Sequence, residues 1–230
     1  MKTRPKASAR PAALAQSQLA FDDEAPRDTI AALTTFAEFE EILGEHAAPA
    51  LAATPSAVPP VHLAWLDTRV GPMVAGVHEG ALVLLEFTDR QRIEIQVPRL
   101  KQRFKGELRA GGDPTLAQTE RELDEYFAGR RRAFTMPLAF PGTPFEERVW
   151  RRLLEIPYGE TISYEELALA TSTKGAVRAV GSANGRNRIA IVIPCHRVIN
   201  KGGGLGGYGG GLWRKRLLLD LEDATARGAA

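Results

Sequence analysis

The stretch Ile191-Val192-Ile193-Pro194-Cys195-His196-Arg197-Val198-Ile199 constrains this chain more than any other. An apolar run this dense belongs in a core, and its length and β-branched content read as a buried strand or strand-like segment. It also carries the only cysteine of the protein, between a proline and a histidine. A lone thiol beside an imidazole is a nucleophile candidate. A free thiol has a pKa near ~8.5 and needs that value lowered to react at neutral pH. His196 can serve as base directly or through a water, and Arg197 adds positive potential, provided the fold turns either toward the sulfur. Immediate neighbours on a strand face opposite ways, so the nucleophile reading requires a kink after Pro194 or a bridging water. The alternative is that Cys195 is a small buried hydrophobe.

The rest of the chain divides by composition. Residues 1–60 are rich in Ala and Pro, and Lys2, Arg4, Lys6 and Arg10 precede the first acid. This segment reads as a mostly disordered tail and linker rather than a transit peptide. Inside it, Ile30, Leu33, Phe36, Ala37, Glu40 and Leu43 follow Asp28-Thr29 at helical spacing, which predicts one short amphipathic helix. From 61 to 141 the pattern is a small α+β domain. Strands are expected at His62–Leu66, Met73–Val77 and Ala81–Phe87, between turn signals, followed by a helix from Pro114 that Gly129 stops and an extended piece from Phe134 to Phe140. From 142 to 223 it is helical, with 224–230 as a tail. Thr143-Pro144 starts a helix through Val149 and Trp150. Ser163 and Glu166 form a capping box for the next. Thr171–Gly175 turns into a third helix, Ala176–Asn184, and two short helices around a tight turn are laid out as a helix-turn-helix.

Net charge is only +2, but its distribution is informative. From Lys174 to Arg216 there are nine Lys or Arg residues and no Asp or Glu. Such a one-sided run around a helix-turn-helix and a candidate nucleophile points to a polyanion, with several of these cations neutralising phosphates. No apolar stretch approaches the ~20 residues that span a bilayer. One cysteine makes no internal disulfide, which fits a reducing, cytoplasmic location. Gly204-Leu205-Gly206-Gly207-Tyr208-Gly209 satisfies the dinucleotide glycine pattern but lacks its strand–helix context and its acid. Cys195 and four scattered histidines offer no zinc spacing. No cofactor and no metal are therefore expected.

Pro194-Cys195-His196-Arg197-Val198-Ile199 resembles the active-site signature of the O6-alkylguanine-DNA alkyltransferases, also called methylated-DNA–protein-cysteine methyltransferases. Ile156–Tyr164 and Arg178–Asn184 upstream, and Gly206–Lys215, Leu217-Leu218 and Glu222 downstream, continue the resemblance. It covers 142–223 closely and 61–141 more loosely. It implies an N-terminal ribonuclease-H-like domain, with a three-stranded sheet and a helix, and a winged-helix or helix-turn-helix-like domain carrying the cysteine. The implied activity is direct-reversal repair. A methyl or alkyl group passes from O6-alkylguanine, and from O4-alkylthymine as a further candidate, in duplex DNA to Cys195, irreversibly, in one turnover, after base flipping. By the same resemblance Glu222 holds His196, His196 takes the Cys195 proton through a water, and Asn187 braces the turn that carries the site. Arg178 fills the space left by the flipped nucleotide, and Tyr164 donates to guanine N3. Lys215 supports the O6 side and the thiolate, and Tyr208 and Val198 complete the substrate-binding set. Arg188 stands where many members have proline. The cysteine cluster of the family's metal-sensing adaptive-response members cannot be built from one cysteine. A monomer acting on double-stranded DNA, without a membrane, is expected. A non-catalytic helix-turn-helix protein for lesion recognition or regulation leaves Cys195, His196 and Glu222 unexplained, and a thiol hydrolase leaves the basic run unexplained.

Overall fold

A computed structural model describes residues 37–39, 41, 44, 58–88, 90–171 and 175–228. The strands β1 (Val61–Leu66), β2 (Met73–His78) and β3 (Ala81–Phe87) form an antiparallel meander. The sheet is not three-stranded as expected. A short β4 (Leu108–Ala110) joins it parallel to β1, giving the order β3-β2-β1-β4. The chain reaches that position through α1 (Arg90–Phe104). This helix was absent from the sequence reading because it carries Pro98 and many charges. Its signal was nevertheless present, since the buried Ile93, Val97 and Leu100 recur at helical spacing. α2 (Pro114–Phe127) begins where expected, with Asp113 capping its first turn, and packs Leu116, Leu123, Tyr126 and Phe127 on the sheet's other face.

Two apolar clusters result. The smaller lies under α1 and contains Val61, Leu63, Val74, Leu84 and Ile93. It also takes in Phe39, whose ring lies 5.9 Å from Trp65. The predicted helix of the first 60 residues otherwise falls outside the described residues, except that positions 37–39, 41 and 44 are helical. The larger cluster continues across residue 142. Met73, Leu85, Phe87 and Tyr126 share it with Val149, Trp150, Leu153, Cys195 and Leu218.

The helical part starts with α3 (Pro144–Leu154) and α4 (Tyr164–Ala170); α4 begins with the predicted capping box of Ser163 and Glu166, and α3, predicted to start at Thr143-Pro144, has a box of its own, Thr143 with Glu146. The next helix is α5 (Val177–Gly185); of the turn expected at Thr171–Gly175, residues 172–174 lie outside the described residues. The final helix, α6 (Leu212–Arg227), runs past residue 223. A two-stranded parallel ladder, β5 (Ile162–Ser163) with β6 (Val198–Ile199), ties α4 to the cysteine segment. The outer edge of β3 is covered rather than left open. Leu82 exchanges backbone hydrogen bonds with Pro137 and Ala139, and Leu85 with Arg188 and Ala190. The expected extended piece 134–140 thus contributes one bridge, and the second bridge fastens the segment before the cysteine to the sheet.

Candidate active site

The segment bearing the thiol is not a strand. Ile191 has φ 69°, and Cys195–Arg197 is a single turn of 3-10 helix entered through Pro194. A left-handed β-branched residue costs on the order of 1–3 kcal/mol and persists only where its surroundings fix it. Asn187 does the fixing. Its Oδ1 accepts from the Ile189 amide at 3.0 Å, and its Nδ2 lies 2.8 Å from the Ile193 carbonyl and 3.1 Å from Cys195 Sγ. One carboxamide therefore braces the turn and presents a donor to the sulfur. The kink after Pro194 meets the condition set by the sequence. A 3-10 helix turns ~120° per residue, so successive side chains diverge without being opposed. Cys195 faces the pocket, and His196 lies in the core behind the turn, against Glu222.

Behind the turn is a buried charge network centred on Glu222 of α6. Its carboxylate accepts from His196 Nε2 at 2.9 Å, Arg197 Nε and Nη2 at 2.9 Å, the Tyr126 hydroxyl at 2.8 Å and the Gly159 amide at 3.0 Å. Burial pushes the Glu222 carboxyl up, but the hydrogen bonds and charge of His196 and Arg197 outweigh it and hold it at about 2. The fully buried His196 is lowered from its ordinary range by burial, against the pull of Glu222, with Arg197 and Lys215 adding to the lowering. It is a neutral base at pH 7, with Nε2–H donated to Glu222 and the Nδ1 lone pair left without a protein partner.

The pocket in front of Cys195 is walled by Tyr164, Asn184, Asn187, Tyr208 and, from β3, Glu86 and Phe87. The Tyr164 hydroxyl lies 3.4 Å from the Gly207 carbonyl, and burial and the Cys195 thiolate raise its pKa. Lys215 is wholly buried. Its Nζ donates to the carbonyls of Val198 at 2.6 Å, Gly207 at 3.3 Å and Leu205, clamping the glycine-rich segment. Burial lowers Lys215 to about 8, with the Cys195 thiolate pulling the other way. Glycine is required in this segment. A Cβ at Gly210 would come within 2.2 Å of the Phe87 ring, and Gly206 has φ +67° against Tyr164. Val198 and Lys215 lie outside the pocket lining, with Val198 contributing its carbonyl to the clamp, and Arg178 is exposed at the start of α5.

The basic run reads differently in three dimensions. Arg197, Arg214 and Lys215 are buried. Arg214 donates to the carbonyls of Val70 and Gly210 and stacks on Phe87. Arg188 is part-buried over Trp150 and shares the Pro141 carbonyl with Arg103. Arg186 and Lys201 are exposed but paired with Glu146 and Glu165. Much of the run therefore holds the fold together, and Arg178 and Arg216 are the exposed cations outside these pairs among the described residues.

A family model described as 6-O-methylguanine DNA methyltransferase, DNA binding domain, matches residues 144–224. The Mycobacterium leprae methylated-DNA–protein-cysteine methyltransferase is 44% identical over 162 residues, 70% of this chain and 92% of that one. The chain belongs to this family. The constitutive methylated-DNA–protein-cysteine methyltransferase of Bacillus subtilis is 50% identical over 110 residues, 47% of this chain and 67% of that protein. Among solved structures, Mycobacterium tuberculosis OGT in complex with DNA superposes with a TM-score of 0.62 at 41% identity, over 72% of this chain and 94% of that one. The O6-methylguanine-DNA methyltransferase of Pyrococcus kodakaraensis gives 0.56 at 29% identity, over 70% and 98%. Beyond the residues the family pattern had named, the methyltransferase pocket contains Asn184 and Glu86. Each was visible in the sequence as a polar residue on an otherwise apolar face: Asn184 beside Val180 and Ala183 on α5, and Glu86 within the run Ala81–Phe87.

Proposed function

We propose that Cys195 Sγ attacks the O6-alkyl carbon of a flipped-out O6-alkylguanine in duplex DNA, with the surrounding residues in the following roles. The thiol proton passes through a water to His196 Nδ1, and Glu222 stabilises the imidazolium that forms. The S–C bond forms as the C–O6 bond breaks, and the electron pair leaves on guanine. Tyr164, at the start of α4, donates to N3 and limits the charge the leaving purine carries. Asn187 Nδ2 and the Lys215 ammonium favour the thiolate. The product is a thioether, which water does not cleave, so each molecule acts once. Arg178 on α5 supports the extruded state by occupying the gap in the stack, offsetting a few kcal/mol of unstacking.

The observation that carries this reading is the pairing of Asn187 Nδ2 with Cys195 Sγ at 3.1 Å, in front of a neutral histidine backed by an ionised glutamate. The sheet order, with three antiparallel strands and β4 parallel to β1, supports reading 61–141 as ribonuclease-H-like. The α4–α5 pair with the β5–β6 ladder supports a winged helix-turn-helix in 142–223.

Mass spectrometry of peptides after mixing with a duplex containing one O6-methylguanine tests the reaction, with Cys195→Ala as control. The expected result is one added methylene on the Cys195 peptide, in stoichiometric amount, with guanine restored. Tight binding with an unmodified cysteine would assign a non-catalytic lesion-recognition protein instead.

A further inference from the structure

A second cleft lies on the α1 side of the sheet, away from Cys195, where α1 meets the segments around Pro141 and Arg188. On α1, Arg99 and Arg103 are four residues apart and share one face. Arg188 reaches the same cleft from the stretch that leads to the cysteine turn. The walls thus carry three guanidiniums over an apolar floor of Val83 and Leu100, and no Asp or Glu is among the lining residues. Cations are favoured near the end of a helix, which accounts for Arg103 but not for Arg188, which lies outside α1.

The three charges are held together at a cost. Arg103 Nη1 and Arg188 Nη2 both donate to the single Pro141 carbonyl, at 2.6 Å each, which brings two like charges to one oxygen atom. Burial lowers Arg188 from its ordinary value, Arg103 and Arg99 lower it further, and Glu146 opposes them. Glu146 is itself committed to Arg186. One carbonyl does not neutralise three cations, whereas an anion in the cleft does.

We propose that this cleft is a phosphate-binding site, separate from the α4–α5 pair and from the Cys195 pocket, which takes a phosphate group either from the DNA backbone or free in solution. A carboxylate has two oxygens and is satisfied by one guanidinium held bidentately. A phosphate presents its oxygens tetrahedrally, so planar forks arriving from different directions, α1 on one side and Arg188 on the other, each reach one. The site is independent of the chemistry at Cys195.

The melting temperature of the full-length protein is measured at neutral pH in sodium phosphate, and in sodium acetate of the same ionic strength. Phosphate also stabilises proteins generally, by exclusion from their surface. The comparison is therefore repeated in Arg99→Gln, in the double variant Arg99→Gln/Arg103→Gln, and in Arg121→Gln, which removes an exposed cation from α2 on the other face of the sheet. A free-phosphate site is expected to give the wild type and Arg121→Gln an added stabilisation that saturates with phosphate. Arg99→Gln is expected to need about tenfold more phosphate to reach it, since a hydrogen bond to a charged group contributes at least that factor. Binding of an undamaged duplex is followed against salt in the same four proteins. A backbone phosphate seated in the cleft is expected to flatten the slope of log affinity on log salt by about 0.9 in the double variant and not in Arg121→Gln. Either result supports the site and names the source of its phosphate. An equal phosphate effect together with an equal slope in all four proteins would overturn it, as would changes that Arg121→Gln reproduces.

Discussion

At the scale of single residues, three buried groups bind fewer protons folded than unfolded, and each ties stability to pH in the same direction. Glu222, held at about 2 against an ordinary 4.5, contributes stability that is complete above pH 4.5 and lost as pH falls toward 2. His196 is lowered from 6.5, so its contribution is complete above that value and declines on acidification below it. Lys215, lowered from 10.5 to about 8, is a charged burial that is relieved as pH rises from 8 to 10.5. Urea midpoints are therefore expected to drop between pH 7.5 and 5.5, and His196→Gln should lose less over that interval than the wild type. An equal drop in both would mean that His196 does not titrate on unfolding. Cys195, His196 and Glu222 are named as candidates in the sequence through the family pattern, and the structure brings the last two into hydrogen-bond contact. The 3-10 turn was not legible, because β-branched Ile and Val at 191–193 favour a strand locally and only the Asn187 contacts, six and eight residues away, override that preference.

At the scale of elements, the Ser163–Glu166 capping box and the Thr143-Pro144 helix start were readable because they depend on residues one to three apart. They also have unequal consequences. Ser163 starts the helix whose first residue is Tyr164, whereas Thr143 starts α3, which touches the site only through packing. Each cap is worth ~1 kcal/mol by alanine substitution. Ser163→Ala and Thr143→Ala are expected to lose similar stability in chemical denaturation. Ser163→Ala should also slow alkyl transfer several-fold, because fraying displaces the Tyr164 hydroxyl, while Thr143→Ala transfers at the wild-type rate. Matching transfer rates in the two variants would detach Tyr164 from the chemistry. The element the sequence reading missed, α1, illustrates the opposite case. Its apolar stripe was intact, but an internal proline, normally a breaker, masked it.

For the whole molecule, the sheet and the helical half share one apolar cluster, and Tyr126 of α2 donates to Glu222 of α6 across it. The covalent division near residue 142 is therefore not a division of the core. The basic run is where sequence and structure part most clearly. Counting charges along a chain does not distinguish cations facing water from cations that hold carbonyls inside. Each phosphate neutralised contributes a slope of about −0.9 in log affinity against log salt concentration. Arg216→Ala is expected to reduce that slope by about 0.9, and Arg214→Ala to leave it unchanged while lowering the melting temperature. A slope that falls with Arg214→Ala would place that guanidinium on the DNA.

The position of Glu222 also has a bearing on synthesis. The carboxylate that orients His196 is encoded after the thiol, 27 residues later by the difference of 222 and 195. At ~5–20 residues per second, translation takes on the order of seconds to cover that interval. Until α6 is made and docked, a nascent chain carries an ordinary cysteine with no oriented base. On the reading proposed above, the thiol is therefore unarmed while the chain is being made, and arming it coincides with closure of the core.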